Sequence, residues 1–173
     1  MKRCKKTYIF CAFFVLSVCI QGCGKDKETE KMELSNLVAN YERAMKVGDY
    51  EQADSYWIDA DENKYAHLFD EVEADSFTNV CENYYLESLE FETSEIQISG
   101  NEASGSINIY LSNVYDMMDY LLNCVNSGKL QMDSSEEQIQ DKLEEHDFVT
   151  KWEGTIHFEK QDGEWKIKSI TED

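Results

Sequence analysis

The chain has 173 residues, with 36 Asp and Glu against 16 Lys and Arg, three histidines, no proline and a formal net charge of −20. Four of the basic residues (Lys2, Arg3, Lys5, Lys6) fall in the first 22 positions, where no acid occurs, so the remainder sets twelve basic against thirty-six acidic residues, about −24. Such a surface has no basic footprint with which to displace counterions from phosphates, which argues against nucleic acid as a partner, and it has no electrostatic grip on anionic lipid.

The basic head, Met1 to Lys6, runs into an apolar block from Tyr8 to Ile20. A charged head before a short apolar block is the pattern of an export signal, and the block falls short of the roughly 20 residues a spanning helix needs. The head stays on the cytoplasmic side, so the rest of the chain is directed outward. The block ends Ile20-Gln21-Gly22-Cys23. An aliphatic residue, a tolerant position, a small residue and a cysteine resemble the bacterial lipobox. The resemblance implies cleavage between Gly22 and Cys23 and a diacylglyceryl group on the Cys23 thiol. Residues 1–22 then read as a lipoprotein signal peptide, and 23–31 as the lipidated cysteine with a charged tether. An ordinary signal peptide cut nearby and an uncleaved anchor are the alternatives. A single acyl chain binds a bilayer only marginally, so two or three chains on Cys23 would give a stable hold on the membrane.

With Cys4, Cys11 and Cys19 in the signal and Cys23 modified, only Cys81 and Cys124 remain. An oxidising exterior permits a disulfide between them, but both fall at apolar positions of helical segments, which favours buried free thiols. No C-x-x-C motif or Cys/His spacing supports zinc.

The domain, 32–173, opens on the strongest helical pattern of the chain: Leu34, Leu37, Val38, Tyr41 and Met45 share one face, and Gly48 closes it. Asp49 with Gln52 has the spacing of a capping box and starts a second helix carrying Ala53, Tyr56 and Trp57. Further helical patterns run through Tyr65, Leu68, Phe69 and Val72, and again through Phe77, Val80, Cys81 and Tyr84, the latter started by Asp75 or Ser76. A hairpin is expected from Leu89 to Ile98 and Ser106 to Leu111, turning at Ser99-Gly100-Asn101-Glu102. A helical excursion, about 113–146, comes next: an apolar helix broken at Asn126-Ser127-Gly128, then an acidic, exposed one touching the core only through Ile139 and Leu143. A second hairpin closes the chain, with Trp152, Ile156 and Phe158 on one face, a turn at Asp162-Gly163, and Gly154 marking a bulge or bend. Helices followed by two strand pairs read as α+β.

The first helix ending Lys46-Val47-Gly48-Asp49-Tyr50, then Ala53, Tyr56 and Trp57, and the closing Asp162-Gly163-Glu164-Trp165-Lys166-Ile167 are similar to a nuclear transport factor 2-like (SnoaL-like, cystatin-superfamily) domain. That resemblance covers about 32–173 and implies a cone: a curved antiparallel sheet wrapped around N-terminal helices. The helical insertion departs from the usual pattern, and the layout resembles uncharacterised lipoproteins of Gram-positive bacteria.

The resembled fold hosts enzymes and binders alike, so function has to come from the site. His157 should face outward, His67 should be solvated, and His146 suits the C-terminal end of the acidic helix, so no catalytic residue is expected. Asp59, Asp61 and Asn63 open like a calcium loop with Asp70 at its twelfth position, but Lys64 stands where that loop needs glycine and a helical pattern runs through it, so no metal or cofactor is expected. Tyr41, Trp57, Tyr84, Tyr110, Trp152 and Trp165 are the candidates to line a pocket inside the cone, with simple core packing as the competing account. The expected role is a membrane-anchored, extracytoplasmic lipoprotein that binds a protein or small ligand. The alternatives are an isomerase- or hydrolase-like enzyme using the cone pocket, and a structural component of the envelope making contact through the acidic region 134–147.

Overall fold

The computed structural model describes residues 26–69 and 75–172. The export signal, Gly22 and Cys23 lie outside the described residues, as does Asp70 of the calcium-like loop.

Helix α1 (Lys27–Lys46) buries Leu34, Leu37, Val38, Tyr41, Ala44 and Met45 along one face. It starts inside the stretch expected as a tether, so Lys27 to Lys31 are helical, and Glu30 pairs with Lys160. Acidic Glu28 and Glu30 suit the positive end of the helix dipole. Gly48, at φ +70°, ends the helix: its N–H donates to the Met45 carbonyl and that of Asp49 to Ala44, a Schellman closure. The Asp49 carboxylate then caps α2 (Tyr50–Asp54) by accepting from the Gln52 N–H.

Two expected helices are shorter or absent. The second ends at Asp54, and Trp57 lies in an extended segment that adds a parallel bridge to the outer strand, through Ile58 N–H to Ile167 O at 2.9 Å and Ile167 N–H to Tyr56 O at 2.8 Å. That bridge covers a sheet edge. From Asn63 to Phe69 the chain runs in turns after a single 3-10 turn, Ala60–Glu62, where a helix was expected. The reason is a polar hub: buried Asn63 accepts from the Tyr41 hydroxyl at 2.6 Å and donates to Asp54 at 2.8 Å, holding this segment against α1.

Helix α3 (Ser76–Ser88), capped by Asp75, leads into a four-stranded antiparallel sheet of order β1-β2-β3-β4: β1 (Glu90–Ser99), β2 (Glu102–Ser112), β3 (Val149–Gln161) and β4 (Glu164–Glu172). The inner face alternates strictly. Ala103, Gly105, Ile107, Ile109 and Leu111 of β2 stand opposite Phe158, Ile156, Gly154, Trp152 and Thr150 of β3. Register shifts curl the sheet between Ser94 and Gln97, where Glu95 takes φ +54°, and between His157 and Phe158 against β4. Gly154 is in register with both neighbours, so it marks neither bulge nor bend. It lets β4 approach: a Cβ there would sit 2.2 Å from the Thr171 carbonyl oxygen.

The excursion between the hairpins forms α4 (Val114–Asn126), closed by a second Schellman motif at Gly128, and α5 (Glu136–Leu143), opened by a Ser135–Gln138 capping box. Both helices pack towards α3, and Ile139 and Leu143 are fully buried. Cys81 and Cys124 are buried free thiols, and burial pushes the Cys81 thiol up to about 11. Every buried apolar side chain among the described residues lies between Leu34 and Ile167, so the core is supplied from within the domain. No described helix is long and apolar enough to cross a membrane.

Candidate functional site: an apolar groove at the open end of the sheet

The inner face of β3 changes character along its length. Ile156 and Phe158 are buried under the helices, while Trp152, on the same face, is 45% exposed. No described helix covers the sheet there. Instead a groove of about 690 Å³ opens where β2 ends and β3 begins, walled by the Tyr65–Phe69 turns on one side and the start of α4 on the other. Trp152 is held by a short chain of bonds, its indole N–H donating to Thr150 Oγ1 and that hydroxyl to the Leu111 carbonyl, each at 3.2 Å. Leu68 and Met118, both 40% exposed, and Tyr115, 80% exposed, complete an apolar surface continuous with Trp152. Contiguous apolar surface of this kind marks interaction sites.

The polar groups of the groove are few. At the rim, Lys64 pairs with Glu172 at 2.8 Å, so the two charges cancel. Deeper in, Tyr85 donates to the Tyr65 carbonyl at 3.5 Å, and burial keeps both tyrosine hydroxyls protonated well above the ordinary range. Two hydroxyls of lining residues, Ser112 Oγ and Tyr65 Oη, are buried with no hydrogen-bond partner among the described residues. An unmet buried polar group costs about 1–3 kcal/mol.

A second hollow of about 500 Å³, among Gln97, Ser104, His157 and Lys168, is polar. Lys168 there pairs with Glu159 at 2.8 Å, and no described side chain in it is left buried and unmet.

Of the six aromatic candidates, the structure brings only Trp152 to the groove. Tyr41, Trp57 and Trp165 are core: Tyr41 meets Trp57 edge-on at 5.9 Å, and the Lys160 ammonium lies 4.5 Å from the centre of the Trp165 ring. Tyr84 packs on Phe148 at 6.2 Å, against the helical excursion. Tyr110 is out of phase with Ile107 and Ile109, so it stands on the outer face, where its hydroxyl donates to Glu92 at 3.2 Å. The groove uses Tyr65, Leu68, Phe69, Tyr85, Tyr115 and Met118 instead. One signal for it was present in the sequence: α4 buries Met117, Leu121 and Cys124 yet also carries Tyr115, Met118 and Leu122 at helical spacing on its exposed side. One core-facing stripe does not need both sets.

None of the histidines lines the groove. His67, expected to be solvated, is half-exposed with Nε2 3.3 Å from Asp54 Oδ1. His146 follows α5 and packs on Tyr120 at 4.3 Å, and His157 is half-buried beside the second hollow. The calcium-like segment spends its donors internally, with Asp59 accepting from the Asp61 N–H and Asn63 turned towards Tyr41. No group of three or more metal-binding side chains occurs among the described residues.

No family model matches the chain, and no curated protein matches it. Solved structures do. An NTF2-like protein of unknown function from Shewanella oneidensis MR-1 is 15% identical, with a TM-score of 0.50 over 83% of this chain and 98% of that one. An NTF2-like protein with a cystatin-like fold from Novosphingobium aromaticivorans is 10% identical, with a TM-score of 0.47 over 84% and 82%. At such identities the likeness is one of architecture: this chain has the α+β, cone-like fold of the NTF2-like proteins.

Proposed function

We propose that this protein is a binding module, not an enzyme, that its ligand occupies the Trp152 groove, and that it works on the extracytoplasmic face of a membrane through lipid on Cys23. The observation that carries the reading is the cluster of Leu68, Tyr115, Met118 and Trp152, large apolar side chains left exposed around one hollow. Ligand sites are typically concave and mostly apolar, with a few placed polar groups. Catalysis in such a pocket needs an acid or base of shifted pKa facing the substrate. Among the described residues the carboxylate in this groove is Glu172, and it is tied to Lys64 at the rim.

The position of the groove fits an anchor at the N-terminus. The first turn of α1 lies at the opposite end of β3, where Glu30 pairs with Lys160. From Trp152 to Lys160 the strand advances roughly 27 Å, at about 3.4 Å per residue. A lipid just before Asp26 therefore holds the far end of the domain and leaves the groove mouth facing away from the bilayer.

Two experiments test these parts separately. Titrating the domain with the neutral probe N-phenyl-1-naphthylamine should give saturable fluorescence enhancement, and a linear, non-saturating response would refute the groove. Mass spectrometry of the mature N-terminus should find acylated Cys23. An unmodified N-terminus, or a Cys23→Ala variant that stays membrane-bound, would refute the anchor.

A further inference from the structure

Resting on the groove as the binding site, we infer that its ligand is a neutral amphiphile: an apolar body with an uncharged head that both donates and accepts hydrogen bonds. The body is specified by the walls, where Trp152, Met118, Leu68 and Phe69 offer aromatic and aliphatic surface and the described charges, Lys64 and Glu172, balance.

The head is specified by the two orphaned hydroxyls. Among the described residues, four buried side-chain polar atoms lack a partner, and two of them, Ser112 Oγ and Tyr65 Oη, belong to residues lining this one groove. Neither residue is loosely placed. The Ser112 backbone N–H donates to Ser88 Oγ at 2.8 Å, and Ser88 in turn donates to the Tyr85 carbonyl at 2.8 Å, so Ser112 is pinned between β2 and α3 while its own hydroxyl is left over. The Tyr65 ring packs edge-on against Phe91 at 5.7 Å, and its carbonyl accepts from Tyr85. Both fixed residues line the groove and keep a solvent-shielded hydroxyl unspent, the part of its lining that a polar head would answer. Each hydroxyl turns to donate or to accept, which suits an alcohol or amide head.

Charge selects against the ionic alternatives. A carboxylate head would enter an acidic domain with no free cation among the described groove residues, since Lys64 is already bound to Glu172. Among the described residues, an ammonium head would meet two neutral hydroxyls and a carboxylate already bound to Lys64, and burying an unpaired charge is strongly unfavourable.

The test uses the soluble domain, residues 26–173, whose described core is supplied from within itself. Displacement of bound N-phenyl-1-naphthylamine is measured with 1-dodecanol, dodecanoate and dodecylamine, which share one chain length and differ in the head. Dodecanol is expected to displace at concentrations about tenfold below either charged compound, an increment of 1.4 kcal/mol. Ser112→Ala and Tyr65→Phe should each weaken dodecanol severalfold more than they weaken the probe, whose one N–H donates but offers no comparable acceptor. Equal displacement by all three compounds, preference for a charged head, or variants that bind dodecanol like the parent would overturn the inference and leave the groove standing. Failure of the probe itself to bind would overturn both.

Discussion

The two ends of β3 share a strand, a face and a residue chemistry, yet they do different things. Towards the hairpin turn, Ile156 and Phe158 are buried in the core, the Lys160 ammonium covers the Trp165 ring, and Glu30 clips α1 to the strand. At the other end Trp152 continues the same alternation beyond the reach of the helices, and α4 approaches it with Tyr115 and Met118 without closing over it. An apolar residue on the inner face of a sheet is therefore core or binding surface according to what stands opposite, which strand periodicity does not encode.

Substitutions along the strand should separate the two ends. The largest effect is expected from Phe158→Ala, which removes a buried ring at the closed end and should cost about 3–5 kcal/mol in denaturant unfolding. Trp152→Ala at the open end should cost less, about 1–2 kcal/mol, because nearly half of the residue is already exposed, while abolishing probe binding. If Trp152→Ala proved as destabilising as Phe158→Ala, the contrast between the ends would collapse. Next in size is Gly154→Ala, where a methyl group would meet the Thr171 carbonyl and force β4 away, a loss of about 1–3 kcal/mol by thermal melting. Ser135→Ala, which removes the cap of α5, should cost about 1 kcal/mol.

The smallest effect concerns pH. Lys142 and the Tyr120 hydroxyl bond to Glu145 and hold its carboxyl below the usual range. A carboxyl depressed in the folded state adds stability that is present above its unfolded pKa and lost as pH falls through the folded one. Glu145→Gln should therefore flatten the acid side of a melting-temperature profile slightly, slightly because the pair is exposed and screened. An unchanged profile would show that this bond contributes nothing measurable.

Much of the architecture could be read from residue patterns. Both hairpins, the Gly48 stop, a cap at Asp75 or Ser76 and the excursion at 113–146 emerge from periodicity and from glycine and capping chemistry, the only punctuation in a chain without proline. The failures are equally physical. Tyr65, Leu68 and Phe69 have helical spacing, but the side chain of Asn63 bonds inward to Tyr41 and Asp54 and fixes turns there, a tertiary contact no local pattern reveals. Gly154 announced a special position, though only the sheet shows that the reason is the approach of Thr171. The pocket was the least legible feature. Aromatic content pointed to Tyr41, Trp57 and Trp165, which fill the core, whereas the site depends on which helices fall short of the sheet.

The most direct test of the groove is a map of backbone amide chemical shifts as N-phenyl-1-naphthylamine is added to the domain. The shifts should cluster on Leu68, on the segment from Ser112 to Met118, and on Thr150 to Trp152. Shifts centred on His157 and Lys168 in the second hollow, or none at saturating probe, would contradict the account.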